Sequence, residues 1–284
     1  MKKLAVISAL TLAVMCLTML AQIAMPYGVV DTAWAASARP AARYPEDPGR
    51  LKQDGKLKVD VNHTSDGYFL ASLTGKSKKK MKLRVALGKE TLTYDLNGNA
   101  TFEVFPFQLG NGKYTISLYE NVSGKKYTSA GTITVNVKLS SPDVCFLYPN
   151  QYVMYTAKSD AVKQATKLCD DMKKDGDVYK KICSYMSTSF VYDFIKAATI
   201  KAGQLPDLEG CFKTKRGVCQ DLSAVMVCML RSQGVPAKLM IGYADNGYHA
   251  WVIAIYNGKE YFFDPTAALS AISKVETYTA ERCY

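Results

Sequence analysis

The chain has 284 residues, of which 48% are hydrophobic and 21% charged, and a formal net charge of +11 at neutral pH. That length is enough for two domains. No nucleic-acid-binding motif accompanies the positive charge, so a nucleic-acid partner is not expected and the charge is read as surface chemistry.

Met1-Lys2-Lys3 is followed by an uncharged apolar run from Leu4 to Ala24. With Ala33-Trp34-Ala35 as a small-x-small cleavage site, residues 1–35 read as a secretory signal, which places the mature protein outside the cytoplasm, secreted or at the cell surface. The run is long for a signal and nearly long enough to span a bilayer, so an uncleaved membrane anchor formed by residues 4–24 is the alternative. Cys16 follows Met15 rather than a small residue, which argues against a lipoprotein anchor. Removing residues 1–35 takes away Lys2, Lys3 and Asp31 and leaves a charge of +10.

Residues 36–50, ASARPAARYPEDPGR, carry three prolines and read as a disordered spacer. From Leu51 to Leu139 the pattern alternates. Runs such as Leu57–Val61, Tyr68–Leu73, Met81–Leu87, Tyr114–Tyr119 and Thr132–Val137 are separated by Asp66-Gly67, Asn97-Gly98, Asn111-Gly112 and Ser123-Gly124. Short strands with regular turn signals predict a β-sandwich of immunoglobulin-like type over residues 51–139. With no cysteine and only His63, this region is read as a positioning or binding module, or a stabilising spacer. Lys76, Lys78, Lys79, Lys80 and Lys82 crowd one predicted hairpin; such runs are usually solvated turns, and anionic wall polymer or lipid headgroups are the functional alternative.

Residues 140–157 form a connector with Pro142 and Pro149. Two helices are expected next. Ser159 stands at the start of the first, with Val162, Ala165, Leu168, Cys169 and Met172 on its apolar face, and Val178, Tyr179, Ile182, Cys183, Met186 and Phe190 mark the second. Asp175-Gly176-Asp177 is read as the break between them, a turn and not a calcium loop. Seven cysteines follow the signal segment. With Cys219 reserved, Cys145, Cys169, Cys183, Cys211, Cys228 and Cys283 leave 15 ways of forming three bridges in an oxidising compartment. A helical hairpin turning at Gly176 would set Cys169 opposite Cys183, the one pair with a geometric argument. Cys228 lies on the face of its helix opposite Cys219, so no bridge joins those two.

The stretch from Gly210 to Ala267 carries the chemistry. An Arg216-Gly217 turn leads into Cys219, after which Leu222, Val225, Met226, Met229 and Leu230 recur at helical spacing. Gly234 is placed for a left-handed cap, and Pro236 prevents the helix from resuming. Cys219 therefore sits in the first turn of a buried helix, where unpaired N–H groups favour a thiolate, and Lys213, Lys215 and Arg216 add positive charge upstream. Strands are expected at Ala237–Tyr243, His249–Tyr256 and Lys259–Phe263, the last two joined by an Asn257-Gly258 hairpin turn. If Tyr256 pairs with Lys259, Trp251 pairs with Asp264 and His249 with Thr266. His249 and Asp264 are then diagonal neighbours, roughly 7–8 Å apart at the backbone.

A cysteine nucleophile, a histidine that holds and returns a proton and an acid that orients the histidine are what thiol acyl chemistry requires. Cys219, His249 and Asp264 supply that set in order. Each residue alone has a plainer explanation: a small buried hydrophobe, a satisfied strand histidine, an Asp-Pro turn. Trp251 is read as core packing, and Gln220 and Asp221 as support for the helix start. Zinc would use the same residue types, but no CxxC or HExxH spacing supports it, and no metal or cofactor is expected.

Arg216-Gly-Val-Cys-Gln-Asp221, Gly234-Val-Pro-Ala-Lys238, His249-Ala-Trp-Val252 and Phe263-Asp-Pro-Thr266 resemble the transglutaminase-like superfamily with its papain-like core, over roughly Lys158 to Tyr284. The resemblance implies an α+β, papain-like catalytic domain at residues 158–284. It also implies Cys219 as nucleophile, His249 as base and acid, Asp264 as orienting residue, and no metal in the chemistry. The superfamily holds crosslinking acyltransferases, proteases, amidases and non-catalytic members, so the reaction stays open. The Cys219 N–H is a natural oxyanion donor, with Tyr192 a candidate for the second. The expected function is attack on an amide in a protein or peptide substrate, associated with the cell wall if the protein stays there, through a thioester at Cys219. Hydrolysis is preferred to crosslinking because water is the default acceptor. The alternative is a non-catalytic cell-surface binding module that keeps the fold, and the oligomeric state is left open.

Overall fold

Alternation of apolar and polar side chains builds the first half of the molecule. In β7 (Gly112–Ser123) Tyr114, Ile116, Leu118 and Glu120 are buried, with more exposed residues between them. The same period of two buries Met81, Leu83 and Val85 of β4 (Met81–Leu87) and Ile133, Val135 and Val137 of β8 (Lys126–Val137). The computed structural model describes residues 42–201, 203–245, 247–269 and 277–284. The predicted signal or anchor segment, its cleavage site and residues 36–41 of the predicted spacer lie outside the described residues. Among the described residues no helix is long and apolar enough to cross a membrane.

The remaining strands of this half are β1 (Leu51–Asp54), β2 (Leu57–Asp60), β3 (Tyr68–Leu73), β5 (Glu90–Leu96) and β6 (Glu103–Pro106). Two four-stranded sheets result, in the orders β1-β2-β3-β6 and β5-β4-β7-β8, with every pairing antiparallel. Tyr94 of one sheet meets Phe105 of the other edge-on at 5.2 Å, and Phe69 stacks on Phe105 at 5.5 Å. Near the start of β7 the Tyr114 hydroxyl donates to the Gly110 carbonyl at 2.8 Å, tying the strand to the turn before it.

Two expectations for this half change. Residues 42–50 have no regular secondary structure, yet they are held: Tyr44 meets Tyr155 edge-on at 6.1 Å, the Glu46 N–H donates to the Tyr68 hydroxyl, and the Gly49 N–H donates to Asp60. The prolines prevent strand pairing here but not docking of side chains. Lys76, Lys78, Lys79 and Lys80 lie on the crossover from β3 to β4, which belong to different sheets, and not on a hairpin, and Lys82 lies within β4. Lys79 pairs with Glu120 at 2.6 Å and Lys82 with Asp95 at 2.6 Å, so part of the run's charge is neutralised by acids of the sandwich.

Residues 140–157 join the halves, and Val144–Tyr148 is buried, partly as a 3-10 turn at Val144–Leu147. All six residues of β3 are buried, and Tyr148 of this connector lies against Tyr68 at 4.5 Å. One apolar core runs from the sandwich into the second half, and the described residues form a single compact unit.

The second half opens with α1 (Asp160–Cys169) and α2 (Asp175–Ser189). The break falls at residues 170–174, and Asp175-Gly176-Asp177 forms the first turn of α2. Acidic residues suit a helix N-terminus, which explains why these two begin a helix where a turn was expected. Ser159 occupies the N-cap position of α1, but its hydroxyl accepts the Thr156 N–H and does not cap the helix. Cys183 thus lies eight residues into α2, about 12 Å along it, whereas Cys169 ends α1. The Cys169–Cys183 bridge is not formed, and no disulfide joins the seven cysteines among the described residues.

Next come β9 (Val191–Tyr192), α3 (Phe194–Thr199), α4 (Leu208–Thr214), β10 (Arg216–Gly217) and α5 (Cys219–Ser232). From Asp221 onward every residue of α5 is buried, as a helix enclosed on all sides requires. It packs against α1, α2, α4 and a sheet of order β13-β12-β11-β14: β11 (Ala237–Ala244), β12 (Gly247–Tyr256), β13 (Lys259–Phe263) and β14 (Tyr278–Cys283). Gly234, at φ +78°, donates to Arg231 O, and Val235 donates to Leu230 O, which closes α5 with the paired bonds of a Schellman cap. Asn257 and Gly258 both have positive φ, the signature of a type I′ turn.

Arg231 clips this half together. Fully buried, it donates to the main-chain oxygens of Ala237 (2.9 Å), Tyr148 (2.7 Å) and Tyr284 (2.8 Å). Helix, sheet, connector and last strand meet on one guanidinium, whose planar fork suits several acceptors at once.

Candidate active site

Cys219 is the first residue of α5, and the chain reaches it through a tight passage. A Cβ on Gly217 would lie 2.6 Å from the Cys211 sulfur and 2.9 Å from the Asp221 Cβ, so only glycine fits. Val218, the N-cap residue, has no polar side chain. The helix start is instead secured from within by Asp221, whose Oδ2 accepts the Val218 N–H at 3.0 Å and whose Oδ1 accepts the Asp207 N–H at 2.9 Å. Asp221 is fully buried, and Lys196 of α3 supplies its counter-charge at 2.7 Å. Gln220 donates to the Gln204 carbonyl. Both residues therefore support the helix start.

His249 and Asp264 reach the site by a route that differs from the predicted ladder. Pairing of β12 with β13 has the expected register, Tyr256 with Lys259, but ends at Val252 with Phe263. The expected Trp251–Asp264 and His249–Thr266 pairs do not form. Asp264 instead caps α6 (Pro265–Ala268): its Oδ1 accepts the N–H groups of Thr266 (2.8 Å) and Ala267 (3.2 Å). Pro265 has no N–H to place in a ladder and suits the first turn of a helix. Released from the strand, the carboxylate turns its Oδ2 to His249 Nε2 at 2.8 Å.

Cys219 stands close enough to the imidazole to raise its pKa. With Nε2 on Asp264, Nδ1 is the nitrogen left for the thiol. Burial works to lower the pKa of His249, but its bond to Asp264 and the nearby Cys219 outweigh it and carry the imidazole up to about 9. Burial would raise Asp264, yet His249, the Tyr278 hydroxyl and the Ala267 N–H together hold it below the usual carboxylate value. His249 and Asp264 are each only 5% exposed, whereas Cys219 is half-buried and open to a reagent.

Lys215 and Arg216 spend their charge elsewhere. Lys215 sits 3.2 Å over the Phe212 ring and donates to Tyr185, and Arg216 approaches Asp193. Tyr192 is brought to the site by the β9–β10 pair, opposite Gly217. Burial, then the charges of Cys219, Asp221, Asp193 and Asp264, push its phenol up to about 12, so it stays a neutral donor at physiological pH. Trp251 is buried against Tyr278 at 5.1 Å, the packing role expected of it.

Residues 162–265, which carry all three side chains, match the model of the Transglutaminase-like superfamily. This segment is a transglutaminase-like domain. The uncharacterized protein YebA of Bacillus subtilis (strain 168) is 27% identical over 167 residues, a match covering 56% of this chain and 22% of YebA. The chain thus spans about a fifth of that relative. Similar solved structures include a candidate cysteine protease from Cytophaga hutchinsonii (15% identity, 83% of this chain and 90% of that one, TM-score 0.38). The periplasmic domain of TgpA from Pseudomonas aeruginosa is also similar (14% identity, 84% and 78% covered, TM-score 0.37).

Two residues of the transglutaminase-like site had escaped the sequence: Lys196, on a helix too short to show a period, and Tyr278. The Tyr278 hydroxyl donates to Asp264 Oδ2 at 2.8 Å from β14, a largely exposed edge strand with no alternation to reveal it.

Proposed function

We propose that the protein is an exported thiol enzyme that cleaves an amide through a thioester at Cys219, with hydrolysis preferred to transfer onto an amine. The observation that carries this reading is one buried imidazole hydrogen-bonded to a carboxylate at 2.8 Å, with a half-exposed cysteine at a helix start near enough to raise its pKa. Cys219 passes its proton to His249 and attacks the acyl carbon. The Cys219 N–H and the Tyr192 hydroxyl receive the developing oxyanion. As the C–N bond breaks, His249 returns the proton to the leaving amine, and a thioester remains. Water then attacks with His249 as base, releasing the acid and the thiol. Asp264 keeps the imidazole oriented and stabilises its cation.

A peptide or protein at the cell surface is the substrate this reading requires, and export rests on the character of residues 1–35. The sandwich at residues 51–139 would present that substrate to the domain at 158–284. Its strand order and the Tyr114–Gly110 bond support an immunoglobulin-like reading. The test offers purified protein a glutamine-bearing protein and a dansylated primary amine, and compares ammonia release with amine incorporation. Release without incorporation, lost in Cys219→Ala, is the expected result. Incorporation faster than release would make the protein a crosslinker, and no turnover of any peptide panel, with Cys219 no more reactive than an ordinary thiol, would remove the enzyme reading.

A further inference from the structure

All the acceptor capacity of Asp264 is in use. Oδ1 takes two main-chain N–H groups, and Oδ2 takes both His249 Nε2 and the Tyr278 hydroxyl, each at 2.8 Å. Tyr278 arrives from β14, the strand farthest from the hairpin that carries the rest of the pair. Its ring is wedged against Phe262 (4.7 Å) and Trp251 (5.1 Å) and lies 6.2 Å from the His249 ring. One residue earlier, the Thr277 N–H donates to Asp245 at the end of β11, which anchors the start of the strand. Gly242, paired with His249, lets β14 approach: a Cβ there would lie 2.0 Å from the Thr279 carbonyl oxygen.

We propose that Tyr278 is a positioning residue of the Cys219–His249–Asp264 site, whose hydroxyl fixes the Asp264 carboxylate and draws charge from the oxygen that His249 uses. The inference rests on the thiol-enzyme reading above. Two donors on one carboxylate oxygen compete for the same negative charge, so the Tyr278 bond weakens the hold of Asp264 on the imidazolium proton. That matters because His249, already raised to about 9, must still release its proton to a leaving amine. Among the described residues, the titratable groups that act on the pair or on its partners are Cys219 from α5, Tyr278 from β14, Tyr192 from β9 and, through Tyr278, Asp245. Burial, Asp264 and Asp245 together hold the Tyr278 phenol well above its ordinary value, so it donates throughout the working range.

Tyr278→Phe removes the hydroxyl and keeps the ring. The chain has two histidines, so an NMR titration of the imidazoles, assigned with His63→Ala, reads His249 directly. Alongside it, the pH dependence of iodoacetamide alkylation at Cys219 is followed. The Phe variant is expected to raise the His249 titration by about half a pH unit, and to slow turnover about tenfold with KM unchanged, the size expected for one charge-assisted bond. A purely structural ring would lower the melting temperature and leave the titration in place, and that result overturns the proposal. If the Phe variant does not fold, biosynthetic 3-fluorotyrosine in the Tyr192→Phe protein strengthens the remaining donor and is expected to lower the His249 titration; no movement overturns it equally. Wild-type Cys219 that alkylates like an ordinary thiol overturns both readings. An activated wild-type Cys219 with an unshifted Phe variant overturns only the role of Tyr278.

Discussion

The chain's two histidines stand in its two halves, and both are buried beside carboxylates. His63, in the sandwich, lies 3.6 Å from Asp60 and 3.4 Å from Asp66 and stacks on Tyr68 at 4.7 Å. Its Nε2 and the Asp60 Oδ2 have no hydrogen-bond partner among the described residues. His249 has its acid at 2.8 Å, a second donor on the same carboxylate oxygen, and a half-exposed thiol on its other side. Composition is shared; what differs is bond length and the presence of a nucleophile at a helix start. The proposed function makes a buried Asp-His contact packing in one place and chemistry in the other, and geometry is what separates them.

Substitutions sharpen that contrast. Cys219→Ala is expected to abolish ammonia release, while His63→Ala leaves the rate per folded molecule unchanged; equal losses in the two variants would erase the distinction. Asp264→Asn keeps the shape of the side chain but removes the charged acceptor that holds His249 Nε2, and a fall in kcat on the order of 10⁴-fold is expected, measured with the same peptide substrate. A fall of tenfold or less would mean that Asp264 is only a helix cap.

His63→Ala should act on stability alone. Asp60 is fully buried, and losing its imidazole neighbour leaves the carboxylate, among the described residues, with the Gly49 and Asn62 N–H groups on Oδ1. A cost of about 1–3 kcal/mol is expected, read from urea denaturation at constant pH. The smallest effect is a slope of stability with pH. Because His249 is raised in the folded state from 6.5 to about 9, its contribution is fully present below pH 6.5 and lost as pH rises through 9. Asp264 is depressed, so its contribution is present above the usual carboxylate range and lost as pH falls through the folded value. Urea midpoints taken between pH 6 and 9.5 should decline in the wild type and decline less in His249→Ala; identical curves would detach the histidine from the stability of its site.

Much of this was written locally in the chain. Leu222 to Leu230 fall on a helical period, Gly234 and Pro236 end that helix, and Asn257-Gly258 sets the β12–β13 register; each involves residues within about a dozen positions, where backbone geometry leaves few choices. Cys219 at a helix start, His249 on a strand and Asp264 at the end of the next one followed from those rules. Only the tertiary structure decided how they meet. Asp264 left its ladder to cap α6, because Pro265 cannot continue a strand. Lys196 came to neutralise Asp221, Arg231 gathered three main-chain oxygens, and Tyr278 crossed from a polar edge strand to Asp264. Lys196 lies 25 residues from Asp221, Tyr148 and Tyr284 lie 83 and 53 from Arg231, and Tyr278 lies 14 from Asp264; such contacts depend on which surfaces pack together, a property no local pattern carries.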